Sequence, residues 1–196
     1  ETCCQKYDIA QKNEVAILFT TGYTQKLVSD TLSVPHKSFV NTPLDNDPSL
    51  WGRLFRNILT WAFDSKLTKN ELLEQSLQYY DLSIYDKRRI TTILHTLETI
   101  TSQNHKELAN YLEFFINFVQ ILLPKNQNQQ AIENLSKVLN DESFMSSYIP
   151  SLPHEVQLMT IHKCKGMEFD VVFHFNLYRY IFPFENFTTG EYVDWE

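Results

Sequence analysis

Seven consecutive residues gather most of the chemistry that this chain offers: His162, Lys163, Cys164, Lys165, Gly166, Met167 and Glu168. Lys165-Gly166 joins a cation to a residue without a Cβ, so a phosphate or a nucleotide sugar can approach the backbone closely. Glu168 supplies a carboxylate that can accept hydrogen bonds from ribose hydroxyls. Each of these residues also has a plainer reading. Glu168 fits a solvated turn carboxylate, Lys163 a solvated cation, Cys164 a small filler and His162 a polar residue at the end of a strand.

Two strands must hold this turn in place. Val156, Leu158, Thr160 and His162 alternate with the period of a strand that buries one face. Phe169 to Phe175 is a β-branched and aromatic run suited to a buried strand. A basic turn between two strands presents its groups to solvent from a rigid base.

Upstream, residues 14–19 read as a central strand that ends at Thr20-Thr21-Gly22. A helix follows from about Tyr23 to Leu32, with Leu27, Val28 and Leu32 as its apolar stripe. Val34-Pro35 stops it, and His36 to Val40 forms a second short strand. Strand, helix and strand make a compact βαβ unit, hence a parallel sheet with a right-handed crossover. After the Pro/Asp/Asn-rich loop 41–48, apolar residues from Leu50 to Ala62 recur at helical spacing. From there to about Tyr148 the chain reads as wholly helical. Thr68 with Glu71 and Asn104 with Glu107 have capping-box spacing. Ile90, Ile93, Leu94, Leu97 and Ile100 form one stripe, Pro124 ends a helix through Leu122, and Ile132 to Leu139 make a last short helix. Pro150 and Pro153 return the chain to the sheet.

The bulk properties exclude more than they assign. With 43% hydrophobic and 14% aromatic residues, the 196-residue chain has a packed core. A net charge of -7 argues against a protein that simply coats nucleic acid, although a local basic loop can still touch it. Cys3, Cys4 and Cys164 make neither a disulfide framework nor a zinc pair, which points to reduced thiols in the cytoplasm. No histidine pairs with a second ligand at metal spacing, so no metal site is expected. The longest apolar segment, Tyr111 to Leu123, is too short and too polar to span a membrane. The four glycines form no G-x-x-x-x-G-K-S/T loop, so this chain cannot run P-loop ATP hydrolysis by itself. Glu1 in place of methionine points to a piece of something longer.

The stretch from Val156 resembles motif V of the UvrD/Rep/PcrA-type DNA helicases of superfamily one, roughly V-x-L-M-T-x-H-x-x-K-G-L-E-F-x-x-V-F. The matching residues are Val156, Leu158, Met159, Thr160, His162, Lys165, Gly166, Glu168, Phe169, Val172 and Phe173, with Phe182-Pro183 further on. A softer resemblance to motif IV covers the strand Val15 to Phe19 and the loop from Thr20 to Lys26. Together the resemblance spans about residues 14–63 and 154–184.

What the resemblance implies is specific. The fold is α/β, a RecA-like parallel sheet with helices, interrupted by an all-helical insertion. Residues 1–48 and 150–196 would form the second RecA-like domain, and 49–149 a helical segment with the inserted subdomain. ATP sits between two RecA-like domains in the family, and closing that cleft ratchets single-stranded DNA. The first RecA-like domain would bring the P-loop and the Mg²⁺ carboxylate, and this chain the opposing wall. Lys165, Gly166 and Glu168 then bind the nucleotide, with Glu168 on the ribose. Thr160 and His162, with Lys163, lie along the DNA, and Lys26 takes the catalytic place of the arginine that reaches the γ-phosphate.

The chain departs from the pattern at several points. Lys26 lacks the planar fork of arginine, and Thr20 and Gly22 replace the first arginine and the asparagine of motif IV. Asn176 and Tyr180 replace family glycines, and motif VI is missing before Glu196. Other readings are the same domain of a helicase–nuclease of the AddA or RecB type, a degenerate non-enzymatic scaffold, and a partner-docking helical module unrelated to DNA.

Overall fold

A computed structural model describes residues 10–63, 68–77, 82–125, 127–165 and 167–175. Two compact units emerge: Glu1–Lys37 with Pro153–Glu196, and Ser38–Leu152.

The first unit is built on a four-stranded parallel sheet in the order β2-β3-β1-β4. Its strands are β1 (Val15–Phe19), β2 (His36–Phe39), β3 (Val156–Thr160) and β4 (Val171–His174). Helix α1 (Gly22–Thr31) joins β1 to β2. Thr21 caps α1 by accepting the Thr24 N–H at 3.3 Å, satisfying one of the donors a helix start leaves open. Glu14 lies in a 3₁₀ turn, Lys12–Glu14, and not in β1. On β2, burial pushes the Lys37 ammonium down from its usual value, partly offset by Glu155.

The expected βαβ unit is present in a parallel sheet, with β3 inserted between β1 and β2. Two other expectations are corrected. β3 ends at Thr160, short of His162, and buries all its residues after Val156 instead of one face, with α1 tied over it through Gln25 and Leu158 O. β4 is not a buried strand. It holds a sheet edge among the described residues, and Val172, Phe173 and Phe175 are 44–48% exposed. The stripe foreseen on α1 holds only in part, with Val28 and Leu32 half-buried. Leu27 is 48% exposed, and the buried residue of that helix is Gln25.

The second unit is helical: α2 (Leu50–Phe63), α3 (Lys69–Leu77), α4 (Ile84–Asn104), a 3₁₀ helix (His105–Tyr111), α5 (Leu112–Leu122), α6 (Gln129–Asn140) and α7 (Glu142–Ser146). Its core gathers the stripes that periodicity predicts: Leu54, Phe55, Ile58 and Leu59 of α2, Ile90 to Ile100 of α4, and Leu135 and Val138 of α6. The Thr68–Glu71 box is reciprocal, with Thr68 N–H to Glu71 Oε2 at 2.7 Å and Glu71 N–H to Thr68 Oγ1 at 3.2 Å. Asn104 caps the 3₁₀ helix rather than an α-helix, and Ile132 to Leu139 is not the last helix, because Asp141 starts α7 by accepting two backbone N–H bonds.

A polar knot closes the loop ahead of α2. Buried Thr42 donates its N–H and its hydroxyl to Asp45 Oδ2 at 2.8 and 3.0 Å, and its hydroxyl lies 3.1 Å from the Tyr148 hydroxyl. Burial pushes the Tyr148 phenol well above its usual value. No helix among the described residues is long and apolar enough to cross a membrane.

Candidate functional site

Adjacent parallel strands release their loops at the same end of a sheet. β1 and β3 pair in the register Phe19 with Thr160, so Thr20-Thr21 and the turn Ile161–Lys165 both leave from the carboxyl ends. The Ile161 N–H extends the ladder to Phe19 O at 3.0 Å. The chain then doubles back, with the N–H groups of Lys163 and Cys164 both donating to Thr160 O at 3.0 and 3.1 Å. The Cys164 thiol adds a weak bond to Ile161 O at 3.1 Å, and Met167 N–H reaches Cys164 O at 2.9 Å. Thiol and backbone together fold the turn tightly over the end of its own strand.

The path out of the turn is short. Asp170 N–H donates to Glu14 O at 3.0 Å, and Val15 pairs with Val171. Residues 161–170 therefore carry the chain from the carboxyl end of β3 past β1 to the amino end of β4, without a helix among the described residues. This crossover runs across the sheet in the direction opposite to the β1–α1–β2 crossover. Right-handed connections place two such crossovers on opposite faces. Loops that part to opposite faces leave a crevice outside the carboxyl ends, the usual ligand position in parallel sheets.

The expected site residues divide along this geometry. His162 and Lys165 are exposed on the turn, while Lys163 and Cys164 are half-buried. Thr160 closes β3 at 3% exposure. Lys26 is exposed in the second turn of α1, which starts from the carboxyl end of β1. Glu168 is exposed on the stretch between Met167, whose N–H reaches Cys164 O in the turn, and Asp170, whose N–H reaches Glu14 O. Gly166 lies outside the described residues, as do Asn176, Tyr180 and Phe182-Pro183. No group of three His, Cys, Asp or Glu among the described residues comes together to hold a metal.

One residue at this site escaped the sequence reading. Gln25, 1% exposed, donates Nε2 to Leu158 O at 3.1 Å and ties α1 to the middle of β3. A glutamine on a helix gives no local sign that it faces a sheet. Gln25→Leu removes this donor while keeping an apolar bulk. It is expected to cost about 1–3 kcal/mol in a urea titration, with Gln25→Glu costing at least as much. A shift of less than about 0.5 kcal/mol for both would show that the bond holds nothing together.

No curated protein matches the chain. Residues 9–193 match the family model of the UvrD-like helicase C-terminal domain. With a parallel sheet, a helical unit set between its two sequence segments and the Lys165–Glu168 stretch following β3, the chain belongs to the UvrD-like helicase C-terminal domain family.

Proposed function

We propose that this chain is the second motor domain of an ATP-dependent DNA helicase or translocase, one wall of a nucleotide cleft whose other wall is a P-loop-bearing RecA-like domain. The observation that carries the reading is the turn 161–165, folded onto Thr160 O at the carboxyl end of β3 beside β1. Ligands of parallel sheets bind at that end.

The residues present fit part of an ATP site. Lys26 and Lys165 are exposed cations whose loops share the carboxyl end, and either can meet phosphate oxygens. A Cβ built on Gly22 would meet nothing within 4 Å, so the start of α1 is open to a ligand. Glu168, further along the crossover, is a free-standing acceptor for a ribose hydroxyl. ATP with Mg²⁺, when bound, supplies the free energy of phosphoryl transfer. The phosphate cradle and the metal carboxylate come from the opposing domain, because this chain has no P-loop. His162 and Lys163 offer donors to a DNA phosphate on the turn, and Thr160 acts beneath them through the carbonyl that shapes it. Cleft closure thus moves a DNA-contacting turn and a nucleotide-contacting crossover as one piece.

The test is DNA-stimulated ATP turnover, measured with the opposing domain supplied. Glu168→Ala and Lys26→Ala are each expected to lower kcat/KM about tenfold, or about 1.4 kcal/mol of lost binding. A rise in KM is expected for Glu168→Ala and a fall in kcat for Lys26→Ala. Kinetics equal to the unaltered protein for both variants would remove this wall from the nucleotide site.

A further inference from the structure

The start of α4 carries a cluster that the crevice does not use. Ile84 and Tyr85 are 63% and 73% exposed, and Lys87, Arg88 and Arg89 beside them are all exposed. Ile90, Ile93, Leu94, Leu97 and Ile100 fix the buried face of the helix. At about 100° per residue, Ile84, Tyr85 and Arg88 fall on the opposite side. Tyr85 precedes Arg88 and Arg89 by three and four residues, so its ring and both guanidiniums are surface neighbours.

The charges here are largely unspent. Lys87 and Arg88 make no ion pair among the described residues, and Arg89 stands 3.9 Å from Asp86. Asp86 is engaged as part of the helix start, accepting the Ser83 hydroxyl at 2.7 Å. Beyond it no acid occurs until Glu98, and the hydroxyls of Thr91, Thr92 and Thr96 are turned back onto helix carbonyls. A chain of net charge -7 thus presents two guanidiniums beside a bare aromatic ring, with Lys87 on the neighbouring face.

Cations alone would suit any acidic surface. The exposed ring narrows the choice, because a base freed from its neighbours stacks on an aromatic face while its phosphates meet the cations. We propose that the start of α4 is a contact site for single-stranded nucleic acid, with Tyr85 stacking on a base and Arg88 and Arg89 on the flanking phosphates. A duplex keeps its bases stacked internally and offers the ring nothing. The site rests on the reading above only in taking DNA as the partner, since it needs no ATP.

Fluorescence anisotropy of the 196-residue chain with a labelled single strand of about 20 nucleotides, at several salt concentrations, tests it. Tyr85→Ala is expected to weaken binding about tenfold, and Tyr85→Phe to bind like the unaltered chain. Arg88→Ala with Arg89→Ala is expected to flatten the slope of log K against log salt by about 1.4. All these side chains are exposed, and circular dichroism checks that each variant is folded. The site is overturned by an unaltered chain that does not bind the strand, by variants that bind like it, by equal affinity for a hairpin duplex, or by polyglutamate displacing the strand as well as unlabelled strand does. Variants that bind normally while Glu168→Ala lowers ATP turnover remove this site and leave the motor reading. Weakened binding with turnover indifferent to Glu168→Ala does the reverse.

Discussion

Phe55→Ala is expected to lower the unfolding free energy by about 3–5 kcal/mol, seen as a fall in the urea midpoint with little change of slope. Phe55 is fully buried on α2, inside the core shared by α2, α4, α5 and α6. Its ring meets Trp51 edge-on, 5.7 Å between centroids and 78° between planes, a geometry worth something beyond the area it buries. Truncation removes that contact and leaves a cavity that long helices, pinned at both ends, cannot collapse to fill. Phe55→Leu keeps most of the volume and should lose about half as much or less. A loss below about 1 kcal/mol for the alanine variant would mean that the helical unit is not organised around this ring.

Gly52→Ala should also destabilise, by about 1–3 kcal/mol, because a Cβ there would lie 2.5 Å from Asp47 Cγ. Asp47 cannot easily step aside. Its Oδ1 accepts the Ser49 N–H at 2.9 Å, and its Oδ2 accepts Asn134 Nδ2 at 3.1 Å from α6. Burial alone would raise the Asp47 carboxyl, but the bonds from Ser49 and Asn134, aided by Arg56, hold it below the usual carboxylate value. A carboxyl depressed in the folded state stabilises above its unfolded pKa, and that support fades as pH falls through the folded value. Gly52→Ala, by displacing Asp47, should therefore cost more near neutrality than in acid. Gly22→Ala is the matched control. A Cβ there meets nothing within 4 Å, and alanine in the first turn of α1 should be neutral or stabilising by up to about 1 kcal/mol. Equal melting of the two variants would refute the close approach at Gly52.

These glycines show where local reading ends. Gly22 and Gly52 both stand at the start of a helix, and their residue type and helical position do not tell them apart. The difference is made by Asp47 and by Asn134, a residue on another helix. Gln25 is a similar case. Its helix period could be read from neighbours, but its burial depends on a β3 carbonyl 133 positions away. The site divides in the same way. The Lys165 to Glu168 spacing carried the family, which residues 9–193 match, and the turn at the carboxyl end of β3 followed from strand periodicity. That Thr160 would be buried, and that Glu168 would lie on the crossover from β3 to β4, could not be foreseen without the strand order.

By itself the sequence determined the longer helices of the second unit, their apolar stripes, the Thr68–Glu71 cap and the family. Each of these is written in residues a turn or two apart or in a contiguous motif, where spacing translates directly into a shared face. Only the tertiary structure decided that β3 lies between β1 and β2, that β4 lies at a sheet edge among the described residues, and which groups share an end of the sheet. Exposure of a strand depends on what pairs with it and packs over it, and those neighbours come from distant parts of the chain. Alternation within five residues cannot encode them.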